Sequence, residues 1–266
     1  MNPNGSGGDA TATQAAPQRP RPVHLVCGGK YHDFDFARLQ LLTLLGEHAE
    51  ARVTVSGDYR DADAGLLDRV EFLVTYTCDV RPSLAQQEAL RDWVGNGGRW
   101  LALHGTNAAL DLTPDGVVSP RVIPVLAETL GSQFIAHPPI APYRVEVTAP
   151  DHPMVAGLAP FETADELYLS EYHGELEVLL HTRFAGDARG FAESSWPEER
   201  EHPVLYLRYL GGGAVLYLTL GHCRGHHDMR PAMDWWPTAD RASWDLDVFR
   251  LLLRRGVAWG LGKKWA

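Results

Sequence analysis

Long apolar runs are missing from this 266-residue chain. No stretch approaches the roughly 18 consecutive apolar residues of a membrane-spanning helix, which excludes a helical membrane protein. Cysteine is scarce, and Cys27, Cys78 and Cys223 stand far apart with no Cys-x-x-Cys pair. An odd, sparse count builds no disulfide framework and suits a reducing compartment. Basic charge is short too: 24 Lys and Arg face 34 Asp and Glu, a formal net charge of -10. Nucleic acids and anionic membranes are bound by basic patches, so neither is an expected partner. Gly28-Gly29 does not extend to the Gly-x-Gly-x-x-Gly of a dinucleotide site, and no His-Glu-x-x-His sets a metal on a helix.

What is present is ordinary globular composition, 45% hydrophobic and 22% charged, with twelve histidines. That suits one large α/β domain. Residues 1–22, rich in Gly, Ala, Pro, Thr and Gln, lack the apolar core of a secretory signal. The expectation is a disordered tail over 1–22, a domain over 23–263 and a cytoplasmic protein.

The first half reads as strands and helices in turn. Strands are predicted at 23–27, 52–56, 70–77 and 99–103. A helix capped by Asp33 or Asp35 runs to Gly46. A second opens on the capping box Ser83/Gln86. This β-α-β rhythm implies a parallel core with right-handed crossovers. In the second half a helix is predicted over 121–130 and strands over 143–148 and 176–181. A hairpin is expected across Gly211-Gly212-Gly213 and a final helix over 246–259. Residues 183–202 read as a surface insertion.

The stretch from Gly97 to Ala108 organises the rest. An apolar strand ends at His104, and Gly105 permits a tight turn. A side chain there stands at the carboxyl edge of the sheet, where open α/β folds place ligands. The position matches a nucleophile elbow, but imidazole is no acyl-transfer nucleophile; it moves protons or binds metals. His32, His137 and His222 also follow, or lie near, predicted strand ends. Each alone is more often a structural histidine. Together they suit a crevice in which His104, His137 and His222 hold a divalent metal such as Zn²⁺, completed by Asp33 or Glu166. The acidic pair Asp165-Glu166 offers a general acid or base, with Tyr168 on the face of Glu166. Trp235 and Trp236, in a polar loop after His222, offer faces for stacking sugar rings.

These motifs resemble the ThuA-like (trehalose-utilisation) family, similar in fold to class I glutamine amidotransferases. The resemblance rests on Gly28-Gly29 with His32-Asp33-Phe34, the Gly97–Ala108 stretch, Phe134 with His137-Pro138, and Asp151-His152-Pro153 with Gly157-Leu158. Asp165-Glu166-Leu167-Tyr168, Gly221-His222 and Arg255-Gly256-Val257-Ala258-Trp259 complete it. It implies a flavodoxin-like three-layer sandwich, with antiparallel additions in the second half, and a link to sugar catabolism. His104 stands where amidotransferases carry their cysteine, so glutaminase chemistry is not expected. The leading expectation is an enzyme acting on a sugar or keto-sugar by lyase, isomerase or hydrolase chemistry. Its catalytic residues would be His104, His222, Glu166 and Asp33; His32, His137, Tyr168, Trp235 and Trp236 would bind substrate. The alternatives are a non-catalytic carbohydrate-binding or assembly protein and a cysteine hydrolase using Cys27 or Cys78. The expected partner is a small sugar; a homodimer is compatible with the chain.

Overall fold

The computed structural model describes residues 19–60 and 64–263. The chain opens with β1 (Arg21–Gly29), α1 (Phe34–Gly46), β2 (Ala51–Ser56), α2 (Ala64–Leu67), β3 (Phe72–Cys78), α3 (Leu84–Gly95) and β4 (Arg99–Leu103). It continues through β5 (Asp111–Thr113), β6 (Gly116–Val118), α4 (Pro124–Leu130), β7 (Ser132–Ala136), β8 (Ala141–Val147), β9 (Phe161–Asp165) and β10 (Leu169–Tyr172). It closes with β11 (Glu177–Asp187), β12 (Ser195–Leu210), β13 (Gly213–Leu218) and α5 (Asp247–Gly260). β1 thus begins at Arg21, inside the stretch expected to be tail, and residues 1–18 of that stretch lie outside the described residues.

Nine strands form one sheet in the order β2-β1-β3-β4-β13-β12-β11-β8-β9. The first five are parallel to one another and the last four join antiparallel. The parallel part has the flavodoxin-like order 2-1-3-4-5, whose switch point lies between β1 and β3. Alternate residues serve opposite faces, as the period of two demands. Leu25, Val74, Leu101 and Leu216 pack with Leu41 of α1 and Leu253 and Val257 of α5. Val26, Leu73, Trp100 and Val215 pack with Leu67 of α2, Leu90 of α3 and Leu126 of α4 on the other side. The result is the expected three-layer α/β sandwich. β3 is buried along all seven residues, which is why it reads as an unbroken apolar run. No helix among the described residues is long and apolar enough to cross a membrane.

Two expectations are corrected. The helix predicted from 121 starts only at Pro124, whose missing N–H costs nothing in the first helical turn. Residues 183–202, read as a surface insertion, are largely exposed but regular rather than loop: β11 and β12 run on together through them as a ribbon, with Phe184 opposite Arg200 and an Arg183–Glu201 ion pair of 2.5 Å. Polar residues on both faces hid this strand, because the ribbon extends past the core. Its tip returns to the domain, where the Val117 N–H donates to Gly190 O and the Ala192 N–H to Val117 O.

The last helix is fitted tightly to the sheet. A Cβ at Gly260 would stand 2.1 Å from Cε2 of the buried Phe72 ring. Gly260→Ala is therefore expected to cost about 1–3 kcal/mol, the usual range for overpacking. Urea denaturation measures it, and an unchanged midpoint would show that the helix end can swing away.

Candidate functional site

Three adjacent parallel strands leave the sheet through residues that are not glycine yet have positive φ: Tyr31 after β1 (72°), Asp79 after β3 (53°) and His104 after β4 (46°). Such backbone strain clusters at functional sites. The tight conformation thus belongs to His104 itself. Gly105 is needed for a different reason, since a Cβ there would meet the Thr77 carbonyl oxygen at 2.6 Å.

His32, His104, Glu166 and His222 converge on one point at this edge, with one ligand atom from each lying within 4.8 Å of the others. His104 ends β4, and its Nδ1 donates to the Thr219 carbonyl at 2.8 Å. His32 follows β1, and its Nδ1 donates to the Lys30 carbonyl at 3.2 Å. A carbonyl only accepts, so each neutral ring carries its proton on Nδ1 and leaves Nε2 bare. Those two Nε2 atoms face each other at 2.9 Å. Glu166 Oε2 lies 3.3 Å from the His104 Nε2 and 3.9 Å from the His32 Nε2. Its Oε1 lies 3.1 Å from His222 Nδ1, 3.4 Å from His137 Nε2 and 3.5 Å from Arg224 Nη2. His222 is fully buried, and neither of its ring nitrogens has a hydrogen-bond partner among the described residues.

The electrostatics follow from burial against one carboxylate. Burial, with the neighbouring His104, pushes His32 well below the ordinary histidine range. Burial takes His222 down to about 3. Burial also works against charge on His104, but the hydrogen bond and charge of Glu166 outweigh it, so that pKa is raised. In Glu166 the nearby histidines, His137 first, overcome the burial penalty and hold the carboxyl well below its usual range. An ionised carboxylate therefore sits among three buried imidazoles. Two facing lone pairs repel, and one shared proton would satisfy only one pair. A cation satisfies all four groups. An ion about 2.0–2.1 Å from each donor sets neighbouring ligand atoms roughly 3.3 Å apart; the pairs here begin at 2.9 and 3.3 Å and the whole set lies within 4.8 Å. The Thr219 and Lys30 carbonyls are outer acceptors of the kind that orient metal-binding histidines. The residues fit a divalent ion.

A cavity of about 120 Å³ opens beside this cluster. Glu166, His32 and His137 meet it at one end, and Tyr31, Phe134, Tyr168 and Phe191 supply aromatic walls. Phe191 comes from the tip of the β11–β12 ribbon, and Met229 and Ala232 come from the loop after His222.

Not every expected residue is here. His137 stands at the rim, 23% exposed in its side chain, outside the four-residue cluster; His32 takes the place expected for it. Asp33 is spent elsewhere: its carboxylate caps α1 through the Phe36 N–H and pairs with Arg241 at 2.9 Å. Tyr168 lines the cavity, its ring 4.8 Å from that of His104. Trp235 stacks on His226 at 4.3 Å and Trp236 lies under the Arg224 guanidinium at 5.4 Å; neither lines this cavity. The cysteines offer no nucleophile. Burial pushes Cys27 and Cys223 up to about 12 and Cys78 well above the usual thiol range, so no thiolate forms near neutral pH.

Arg224 escaped the sequence reading of the site, and Asp165, read there with Glu166 as an acid–base pair, plays a different part. Arg224 is 8% exposed, and its Nε donates to the Tyr31 carbonyl at 3.0 Å. Asp165 sits at the very end of β9, where the chain turns. Its carboxylate accepts from the backbone N–H groups of Glu166, Gly221, His222 and Ser243. The signal for it was the acidic pair itself, next to the Gly221-His222 turn that it clamps.

Fold and site together define a flavodoxin-like α/β sandwich with a histidine–carboxylate centre at its carboxyl edge and a histidine at the elbow. The chain belongs to the ThuA family, described as trehalose utilisation, whose model matches residues 24–234. It is similar to a ThuA-like protein from Bacteroides uniformis (17% identity, TM-score 0.60, covering 92% of this chain and 95% of that one). A ThuA-like protein from Parabacteroides merdae is similar at 16% identity and TM-score 0.61, covering 92% and 91%. A β-galactosidase from Bacillus circulans shares the fold over 92% of this chain but 32% of its own, at 12% identity and TM-score 0.51. No curated protein matches the chain.

Proposed function

We propose that this protein is an enzyme of sugar catabolism that acts on a sugar or keto-sugar by acid–base chemistry beside a divalent metal. The observation that carries the reading is the convergence of the His32 and His104 Nε2 atoms, 2.9 Å apart, on the buried Glu166 carboxylate beside His222. His32, His104, Glu166 and His222 would hold the ion. When bound, it supplies Lewis acidity to a carbonyl or hydroxyl oxygen. His137 faces both the cavity and Glu166, with its Nδ1 proton fixed on the Pro138 carbonyl at 2.8 Å. Its Nε2 is free to take a proton from carbon or oxygen and return it. The phenol of Tyr168, driven well above the usual range by burial and by Glu166, stays protonated and donates a hydrogen bond. The walls of Phe134, Tyr168 and Phe191 exclude water and present flat faces to ring C–H groups.

The test is a panel of glycosides and their keto forms incubated with metal-loaded protein in deuterated buffer and followed by NMR. Turnover, or exchange at the carbon beside the carbonyl, is expected for keto forms, and His137→Gln should slow it about 10²–10⁴-fold. Saturable sugar binding with neither turnover nor exchange would transfer the site to a carbohydrate-binding role.

A further inference from the structure

Among the described residues of the cavity wall Arg224 is the one buried arginine or lysine, and its commitments leave part of it free. Nε is held by the Tyr31 carbonyl, Nη2 leans on Glu166 at 3.5 Å, and the guanidinium plane lies over Trp236. Its backbone is fixed too: Arg224 and Asp240 exchange N–H···O bonds of 3.0 and 2.8 Å. Nη1 donates to no described residue, nor do the hydroxyls of Tyr31 and Tyr168, which line the same cavity. The Nη1 edge of Arg224 therefore waits for an acceptor. The one carboxylate on the lining is Glu166, and both its oxygens already face imidazoles. A neutral sugar carries a hydroxyl on most carbons, and each must donate as well as accept. Among its side chains this wall offers such donors the His137 Nε2 and the tyrosine oxygens, and no uncommitted carboxylate.

Charge points the same way. On the cavity face Glu166 and Arg224 cancel, so a divalent ion leaves that face positive. Asp165 and Asp240 lie behind the cluster and line no part of this cavity. Buried charge persists only when it is paired.

We infer that the substrate carries a carboxylate, gripped by the free Nη1 edge of Arg224 while its reacting carbonyl or hydroxyl faces the metal cluster; the class is an oxidised sugar-derived acid. This rests on the metal-assisted reading above. Arg224 is then a binding and specificity residue, its fork presented to a carboxylate as an arginine fork usually is.

The experiment is calorimetric titration of zinc-loaded protein with pyruvate and with hydroxyacetone, which share a ketone and differ in charge. Zinc content is measured alongside. Pyruvate should bind at least tenfold tighter. Arg224→Gln should abolish that preference with zinc content unchanged, and Arg224→Lys should weaken it while keeping the charge. If Arg224→Gln does not fold, the lysine variant decides: an undiminished preference overturns the assignment. Equal binding of the two ligands by the wild type, or a preference that survives in Arg224→Gln, also overturns it. Protein that cannot be loaded with zinc overturns the metal reading instead, and the pyruvate comparison on that protein still decides the role of Arg224.

Discussion

Dialysis of the purified protein against EDTA is expected to lower its melting temperature by about 8–16 °C, and added zinc should restore it. An ion at a thousand times its dissociation constant stabilises the state that binds it by about 4 kcal/mol. A domain of this size shifts by about 2–4 °C per kcal/mol. The ligand set is assembled by folding alone, because His32, His104, Glu166 and His222 come from four separate strand ends. Linkage to unfolding should therefore be nearly complete. His222→Ala removes one ligand and should make the melting temperature insensitive to EDTA. The pH dependence has a definite sign. A ligand must shed its proton to bind metal, and the pKa of His104 is raised beside Glu166. The EDTA effect is then full above that raised pKa and fades as pH falls through it. A melting temperature indifferent to both EDTA and zinc near neutral pH would sink the metal assignment.

Much of this site was legible in the sequence because strand ends are. The apolar runs that stop at His104 and just before His222, and the glycine pair ahead of His32, mark where buried strands reach the carboxyl edge, and a parallel sheet gathers such ends on one side. Side-chain allegiance was not legible. Asp33 stands beside His32 in sequence, but the first turn of α1 needs an acceptor for its free N–H groups and Arg241 takes the remaining oxygen. His137 lies in a proline-rich segment whose exit direction depends on the pairing of β7 with β10, a contact between segments more than thirty residues apart. Phe191 and Arg224 reach the cavity from stretches that read as polar loops. The β11–β12 ribbon projects past the core, so neither of its faces shows apolar alternation, and the loop after His222 is folded back by the Arg224–Asp240 bridge. Burial patterns in sequence report the core; they are silent about polar segments bent over it.

Asp165→Asn should be among the most damaging conservative changes in the protein, although the residue lines no part of the cavity and holds the cluster only through the backbone of Glu166 and His222. Asp165 is 1% exposed. One carboxylate oxygen accepts the Glu166 and His222 N–H groups at 2.8 and 3.1 Å; the other accepts Gly221 and Ser243 at 2.9 and 3.2 Å. All four donors are backbone and cannot turn away. An asparagine keeps one oxygen and turns an NH₂ toward the other pair, which strands two buried N–H groups against a third donor. Each buried orphan costs about 1–3 kcal/mol, so a loss of about 2–6 kcal/mol is expected in urea denaturation. The clamp also sets the site: it joins the end of β9, just before Glu166, to the turn that presents His222, so loosening it separates two of the four ligands. A supporting residue of this kind typically changes metal affinity about 10–100-fold. Competition for zinc with a chromophoric chelator should therefore show weaker binding by Asp165→Asn under conditions where circular dichroism shows it folded. Wild-type stability with wild-type zinc affinity would mean that the turn after β13 is held by its other anchors, the Tyr76 hydroxyl and Trp244 Nε1, which both donate to the Gly221 carbonyl.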